Sequence, residues 1–331
     1  MNSFGRILRV HIFGESHGEC VGITIDGCPA GLSLTPEDLL PDLERRKGGK
    51  QKGATPRQEE DYPIFKSGIF NGKTTGFPIT ILFENKNTRS EDYNKQRSIP
   101  RPGHADWVAH QKFGGNEDYR GGGHFSARLT TGIVAAGAIA KKLMPAIKFN
   151  ATVTEIAGEN DLEKGLQKGI DAKDSVGGII ECKVNGLPIG LGEPYFDSVE
   201  SVLSHILFAI PAVRGVEFGT GFAAAKMFGS QHNDAIENME GQTRTNHAGG
   251  IVGGISNGNE LVFRLAVKPT SSTPKIQNSL NWDTGTTEDF SIKGRHDLCV
   301  ALRAPVIVEA VTALVIADFM LLSQHIKRVI A

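Results

Sequence analysis

The chain has 331 residues, 39% of them hydrophobic and 22% charged, the composition of an ordinary soluble enzyme and the length of one large domain or two. A formal net charge of −1 leaves no overall field for nucleic acid or an anionic membrane, so an anion site has to come from local clustering. The cysteines Cys20, Cys28, Cys182 and Cys299 form neither a C-x-x-C pair nor a zinc-finger spacing, which favours free thiols in the cytoplasm. The N-terminal residues lack an apolar signal core, and the apolar run from Ala304 to Leu322 is broken by Glu309 and Asp318, against a membrane span.

In chain order, residues 6–13 and 21–26 alternate as strands, with Gly14-Glu15-Ser16-His17-Gly18 as the turn between them. Thr35-Pro36-Glu37-Asp38 opens a helix, with Thr35 as N-cap and Pro36 in the first position, and Arg45-Arg46-Lys47-Gly48-Gly49 ends it. Residues 50–60 read as polar and irregular, and Ile79–Glu84 as a strand. A long polar stretch, 85–126, shows little periodicity, and segments of this length inside compact domains are functional or disordered. Ser126 then caps an Ala-rich helix over 127–144. Gly177–Val184 and Leu187–Leu191 read as strands joined by Asn185-Gly186, a hairpin signal. A helix at 197–209, a strand at 213–218, a Gly-rich loop at 246–254, a strand at Leu261–Val267 and a helix from Pro305 to Leu322 complete the pattern. Strands joined by hairpins, with helices covering antiparallel sheet, predict an α+β fold, and no linker composition divides it, so one interleaved domain is expected.

The run Arg120-Gly-Gly-Gly-His124-Phe125-Ser126-Ala-Arg128 combines a glycine loop, a helix start and two arginines, the makings of a phosphate site. Three histidines sit in glycine-flanked polar loops: His17, His104 in Arg101-Pro-Gly-His-Ala-Asp106, and His296 in Gly294-Arg-His-Asp297. Such loops let imidazole act as acid or base near neutral pH. Metal ligation is less favoured, because only His104/Asp106 and His296/Asp297 approach a ligand spacing. Gly14, Ser16 and Gly18 have the spacing of a serine nucleophile elbow, but the turn lies between strands, not strand and helix. Arg45, Arg46, Lys47, Lys50, Lys52 and Arg57 cluster, and guanidinium groups suit carboxylates and phosphates. Lys268-Pro269-Thr270-Ser271-Ser272 offers hydroxyls and backbone N–H groups as a second phosphate cradle.

Six motifs in order, Gly14–Gly18, Arg101–Asp106, Arg120–Arg128, Asn246–Gly250, Lys268–Ser272 and Gly294–Asp297, together resemble the chorismate synthase family from residue 4 to about 322. The resemblance implies a β-α-β sandwich, a homotetramer, and elimination of phosphate from 5-enolpyruvylshikimate 3-phosphate with reduced FMN, without net redox change. It implies His17 and His104 as catalytic acids and Asp297 as a group that helps deprotonate flavin N5. Ser16, Arg45, Arg46 and Arg128 then bind substrate, with Arg46 and Lys52 also on a possible NADP side. The flavin falls to His124, Phe125, Ser126, Pro211, Ala212, Gly253, Lys268 to Ser272 and Arg295. Many members carry Arg where this chain has His124, some carry Arg for Lys52, and Pro is frequent where Leu298 stands. No inserted segment resembles a flavin reductase, so an external reductase or reductant is the expected partner. A non-catalytic flavin- or phosphate-binding protein is the alternative; it explains the glycine loops and leaves the loop histidines idle.

Overall fold

The computed structural model of the protein describes residues 2–48, 53, 59–86, 97–292 and 297–330. Strands β1 (Ser3–Phe4), β2 (Arg9–Gly14), β3 (Cys20–Asp26), β4 (Ile64–Ser67) and β7 (Ile79–Glu84) form one antiparallel sheet in the order β1-β2-β3-β7-β4, while β5 (Ile69–Phe70) and β6 (Lys73–Thr74) make a separate small hairpin. The second sheet, β10-β13-β9-β8, comprises β8 (Lys148–Ile156), β9 (Gly178–Asn185), β10 (Val213–Phe218) and β13 (Leu261–Val267). Two further hairpins lie outside both sheets: β11 (Ile251–Val252) with β12 (Ile255–Ser256), and β14 (Gln277–Asn281) with β15 (Thr286–Phe290).

Alternation sets the inward faces. Val21, Ile23 and Ile25 on β3 stand opposite Phe83, Ile81 and Ile79 on β7, and all six are buried. On the second sheet Ile180, Cys182 and Val184 pair with Leu265, Phe263 and Leu261, again all buried. Helices fill the space between. The helices α1 (Leu40–Arg46), α2 (Asp106–Phe113), α3 (Thr130–Leu143), α4 (Leu162–Ala172), α5 (Val199–Leu207), α6 (Gly229–His232) and α7 (Pro305–Leu322) follow in chain order. Of these, α3 packs on β3 and β7, α7 packs on β8 and β9, and α3 and α7 pack on each other. The fold is therefore α+β, with its central helices between two antiparallel sheets. Close approach of α3 and α7 depends on Gly137, where a Cβ would stand 2.3 Å from the Ala310 Cβ.

By length and composition, α7 is apolar enough to cross a membrane, but 83% of it is buried inside the protein. Its two carboxylates are matched to partners. Asp318 accepts the backbone N–H groups of Arg6, Ile7 and Leu8, each at 2.8 Å. Glu309 receives both Arg45 terminal nitrogens at 2.7 Å, Lys141 at 2.8 Å and the Ala151 N–H at 3.1 Å. Burial pushes the Glu309 carboxyl up, but the Arg45 hydrogen bonds and Lys141 outweigh it and hold it below its ordinary value of 4.5. The resulting stability is complete above that ordinary value and disappears as pH falls through the lower folded value. Glu309→Gln should cost about 3–5 kcal/mol at neutral pH, because a buried carboxylate is lost from between two cations. It should also flatten the acid limb of stability. Thermal melts at neutral and acidic pH check this; equal loss at both would remove Glu309 as the source.

Several predicted elements differ in extent. The helix expected from Thr35 begins as a 3-10 turn, Pro36–Asp38, in which the Asp38 carboxylate accepts the Thr35 N–H at 2.8 Å, and α1 follows from Leu40. The segment 187–191 is not a strand. Asn185 ends β9 and Gly186 has a φ of +86°, but Pro188 follows, and the segment bonds instead to Ser256 through the Gly190 and Leu191 N–H groups. The partners of β9 are β8 and β13. The polar stretch 85–126 contains α2 and a 3-10 segment at Arg120–Phe125.

Candidate functional site

One cavity of about 580 Å³ gathers residues of five of the six motifs; Asn246–Gly250 lies outside its lining. Gly121 brings the glycine run into its wall. Gly121, Gly122 and Gly123 have φ of +60°, +80° and +52°, backbone that side chains with a Cβ rarely adopt. Space is the second reason for glycine here. A Cβ on Gly121 would fall 2.2 Å from the His17 ring, and one on Gly122 would fall 3.2 Å from His104 Cε1. The two histidines thus lie over successive glycines. Gly121→Ala should move the His17 ring and lower turnover by about 10²-fold, in line with misplacement of a reacting group by an ångström. Thermal stability should fall less, by the roughly 1–3 kcal/mol of a strained residue. A variant with wild-type kcat would show that the glycine serves only the backbone.

The loops are held together by local bonds. The Gly14–Gly18 turn meets the glycine run through the Ser16 N–H to Gly123 oxygen at 3.1 Å and through His124 Nδ1, 2.9 Å from the Gly14 oxygen. Ser126 accepts the Arg128 N–H at 3.2 Å, capping the turn that leads into α3. Across the cavity, Lys268 Nζ and Ser271 Oγ both donate to the Gly103 oxygen, at 3.1 and 2.7 Å, and the Arg101 guanidinium reaches Ser272 Oγ at 3.3 Å. The 268–272 loop is therefore stapled to the loop that carries His104.

The walls are strongly cationic. Among the described residues, Arg46, Lys47, Arg101, Arg128, Arg214, Lys268 and Arg303 line the cavity, against the carboxylates Glu59, Asp61 and Asp297. Asp61 lies between two of the arginines: it pairs with Arg128 and, at 3.2 Å, with Arg46, and its side chain is 2% exposed. Arg46 also donates to Thr130 Oγ1 at 2.9 Å and the Ala127 oxygen at 3.0 Å. Burial draws Arg46 down to about 9, with Arg303 and Arg128 adding to the fall against Asp61, and it stays cationic at neutral pH. Burial, and then Arg214, lower Lys268 from its ordinary 10.5. Arg303 holds Asp297 at 3.1 Å and donates to the Arg46 oxygen at 3.0 Å.

Of the residues singled out from the sequence, His17, His104, Asp297, Arg46, Arg128, His124, Phe125, Ser126, Pro211, Ala212 and all of Lys268–Ser272 line this one cavity. Ser16 is fully buried behind the glycine run and does not line it. Arg45 does not line the cavity; its guanidinium pairs with Glu309 instead. Gly253 lies in the β11–β12 hairpin, outside the cavity lining. Lys52, Arg295 and His296 fall outside the described residues. Asp61 and Arg214 carry no signal in the sequence that marks them as site residues, and Arg303 stands out only as one of several arginines that could bind an anion. Arg101 was within reach, since it opens the motif that holds His104.

Among the described residues, the buried lining atoms Thr270 Oγ1 and His124 Nε2 find no hydrogen-bond partner. Buried polar groups without partners are uncommon, and at a cavity wall they fit a ligand that completes them. The volume lies within the roughly 300–1,000 Å³ of pockets that enclose small molecules. A cationic cavity, two imidazoles over a glycine run and a carboxylate suit acid–base chemistry on a polyanionic small molecule.

Comparison with known proteins points the same way. The family model described as chorismate synthase matches residues 8–321. A chorismate synthase from Chitinophaga pinensis is 67% identical over 330 residues, covering 99% of each chain. One from Dehalococcoides mccartyi is 43% identical over 360 residues, with 99% of each covered. A crystal structure of chorismate synthase superposes with a TM-score of 0.73 at 25% identity, covering 97% of this chain and 93% of that one. With the motifs in order and matches along nearly the whole length, the chain belongs to the chorismate synthase family of carbon–oxygen lyases.

Proposed function

We propose that the protein eliminates phosphate from 5-enolpyruvylshikimate 3-phosphate, in the 1,4-anti sense, to give chorismate, with reduced FMN as an obligatory cofactor and no net redox change. The observation that carries this reading is the excess of arginine and lysine around a single cavity holding two imidazoles. A substrate with two carboxylates and a phosphate needs that many cations, and guanidinium forks suit both anion types.

In this reading His17 protonates the departing phosphate as its bond to carbon breaks. His104, on the adjacent glycine, is the acid on the cofactor side. Arg46 and Arg128 hold the substrate's anionic groups, and Asp61 keeps both guanidinium groups from folding away. Asp297, fixed by Arg303, is the carboxylate that accepts a proton at the flavin edge. The residues present fit FMN: Lys268–Ser272 and His124–Ser126 flank one cavity, and Thr270 Oγ1 and His124 Nε2 offer unspent bonds. When bound, reduced FMN supplies transient electron density that helps an unactivated C–H bond to break. His17 and its neighbours exclude bulk water by their burial, so the proton moves between fixed groups.

The chain works as one domain in this reading, since a single apolar core runs from Leu8 to Leu321. It acts in the cytoplasm as a homotetramer supplied with reduced flavin by a separate reductase or reductant. Exposed Phe196, Phe222, Phe228 and Met239, 93%, 81%, 77% and 98% accessible, are candidates for burial between copies.

Oxidised FMN should bind far more tightly once the phosphorylated substrate is added, because the two share one cavity. Titration of FMN fluorescence with and without substrate measures this. A protein that merely binds flavin has no reason to couple the two, so unchanged FMN affinity would overturn the reading.

A further inference from the structure

His104 has a fixed carboxylate partner. Asp106 Oδ1 lies 2.6 Å from His104 Nδ1. Arg101 Nη2 also comes within 3.0 Å of that nitrogen, but a guanidinium only donates. A carboxylate at 2.6 Å requires a proton on Nδ1, which turns that nitrogen into a donor and excludes it as an acceptor for Arg101. The ring's other nitrogen, Nε2, is then the one free to exchange a proton. It faces Gly122 of the glycine run, where an added Cβ would stand 3.4 Å away.

Asp106 is itself immobilised. Its Oδ2 accepts the Arg101 N–H at 3.0 Å and Arg101 Nε at 2.7 Å, and its Oδ1 accepts Arg101 Nη2 at 2.7 Å. Arg101 is 7% exposed and is tied in turn to Ser272. Burial pushes the Asp106 carboxyl up, but hydrogen bonds from Arg101 and His104 outweigh it and hold it well below the usual carboxylate range. It stays ionised across the neutral range. His104 also lines a second, smaller cavity of about 390 Å³, which Asp106, Asp118 and Arg97 line from the other side. The imidazole thus borders both spaces, and its carboxylate partner fixes how the ring is turned.

We infer that Asp106 is the positioning residue of His104: it holds the proton on Nδ1 and leaves Nε2, turned toward Gly122, as the nitrogen that exchanges a proton, with Arg101 locking Asp106 in place. This rests on the proposed role of His104 as an acid of the elimination. Second partners of this kind orient a functional imidazole and are worth about 10–100-fold in activity.

The test uses the full-length protein and the near-isosteric Asp106→Asn, with Asp106→Glu as a second variant. Nitrogen-15 NMR of the histidines in flavin-free protein reads which ring nitrogen carries the proton, with His104 assigned from a His104→Gln sample. Steady-state assays with reduced FMN read kcat and KM separately. The wild type is expected to show a protonated Nδ1. Asp106→Asn should lose that preference and about 10–100-fold in kcat, with substrate KM changed less than about threefold. Asp106→Glu should recover part of the loss and part of the NMR signature. An unaltered His104 tautomer in Asp106→Asn overturns the inference, as does a loss confined to KM. An altered tautomer with full kcat overturns it too, since the orientation then has no consequence for turnover. If the wild type makes no chorismate, the functional reading fails on its own, and the NMR result still decides the Asp106–His104 pairing.

Discussion

His17→Ala is expected to lower turnover by about 10²–10⁴-fold, the usual worth of a positioned proton donor, while FMN still binds. His17 is 8% exposed, lies over Gly121 and borders the cationic cavity. In the proposed mechanism its replacement removes a proton source and leaves the arginines of the cavity in place, so the loss should appear in kcat more than in KM. His104→Ala should behave similarly, because it occupies the matching position over Gly122. Chorismate formation under reduced FMN gives the rate, and FMN fluorescence quenching gives the binding. Near-wild-type turnover in either variant would remove that histidine from the mechanism.

Asp61→Ala is expected to be the most damaging single change outside the histidines. Asp61 is the carboxylate between Arg46 and Arg128, and all three side chains are at most 5% exposed. Removing one partner of a buried pair leaves an uncompensated charge and costs about 3–5 kcal/mol. Here two guanidinium groups lose their anchor, so stability and substrate affinity should fall together. Arg128→Ala separates the two effects. It should mainly raise substrate KM, since a charged hydrogen bond is worth roughly 1.5–3 kcal/mol. Arg128→Lys should not recover fully, because its guanidinium reaches Asn85, Asp61, Thr131 and the Glu84 oxygen at once. Melting temperature and substrate titration check both variants. An Asp61→Ala protein with wild-type melting and affinity would mean that the arginines orient themselves.

Much of the frame was legible because it follows local rules. The strands at 79–84 and 261–267 alternate, and Ser126 and Pro305 mark helix starts where the structure has them. The error at 187–191 arose because the Asn185-Gly186 turn was weighed without Pro188, which cannot donate to a ladder. Strand β8 and helix α4 went unread, and β8 has an uneven burial pattern with a register shift near Val153. The glycine run was correctly seen as special, but for its N–H groups; that its missing Cβ atoms make room for His17 and His104 is a long-range fact that no local pattern carries. Arg45 and Arg46 show the same limit. They are neighbours on one helix, yet one turns to Glu309 between the sheets and the other to Asp61 at the cavity. Only tertiary packing distinguishes them.

The most direct measurement is an anaerobic assay in which reduced FMN is supplied well below the substrate concentration, with chorismate, phosphate and flavin absorbance followed together. The account predicts many molecules of chorismate and of phosphate per flavin, in equal amounts, with the flavin still reduced at the end. One flavin oxidised per product would mean net redox chemistry and contradict it, as would full activity with oxidised FMN and no reductant.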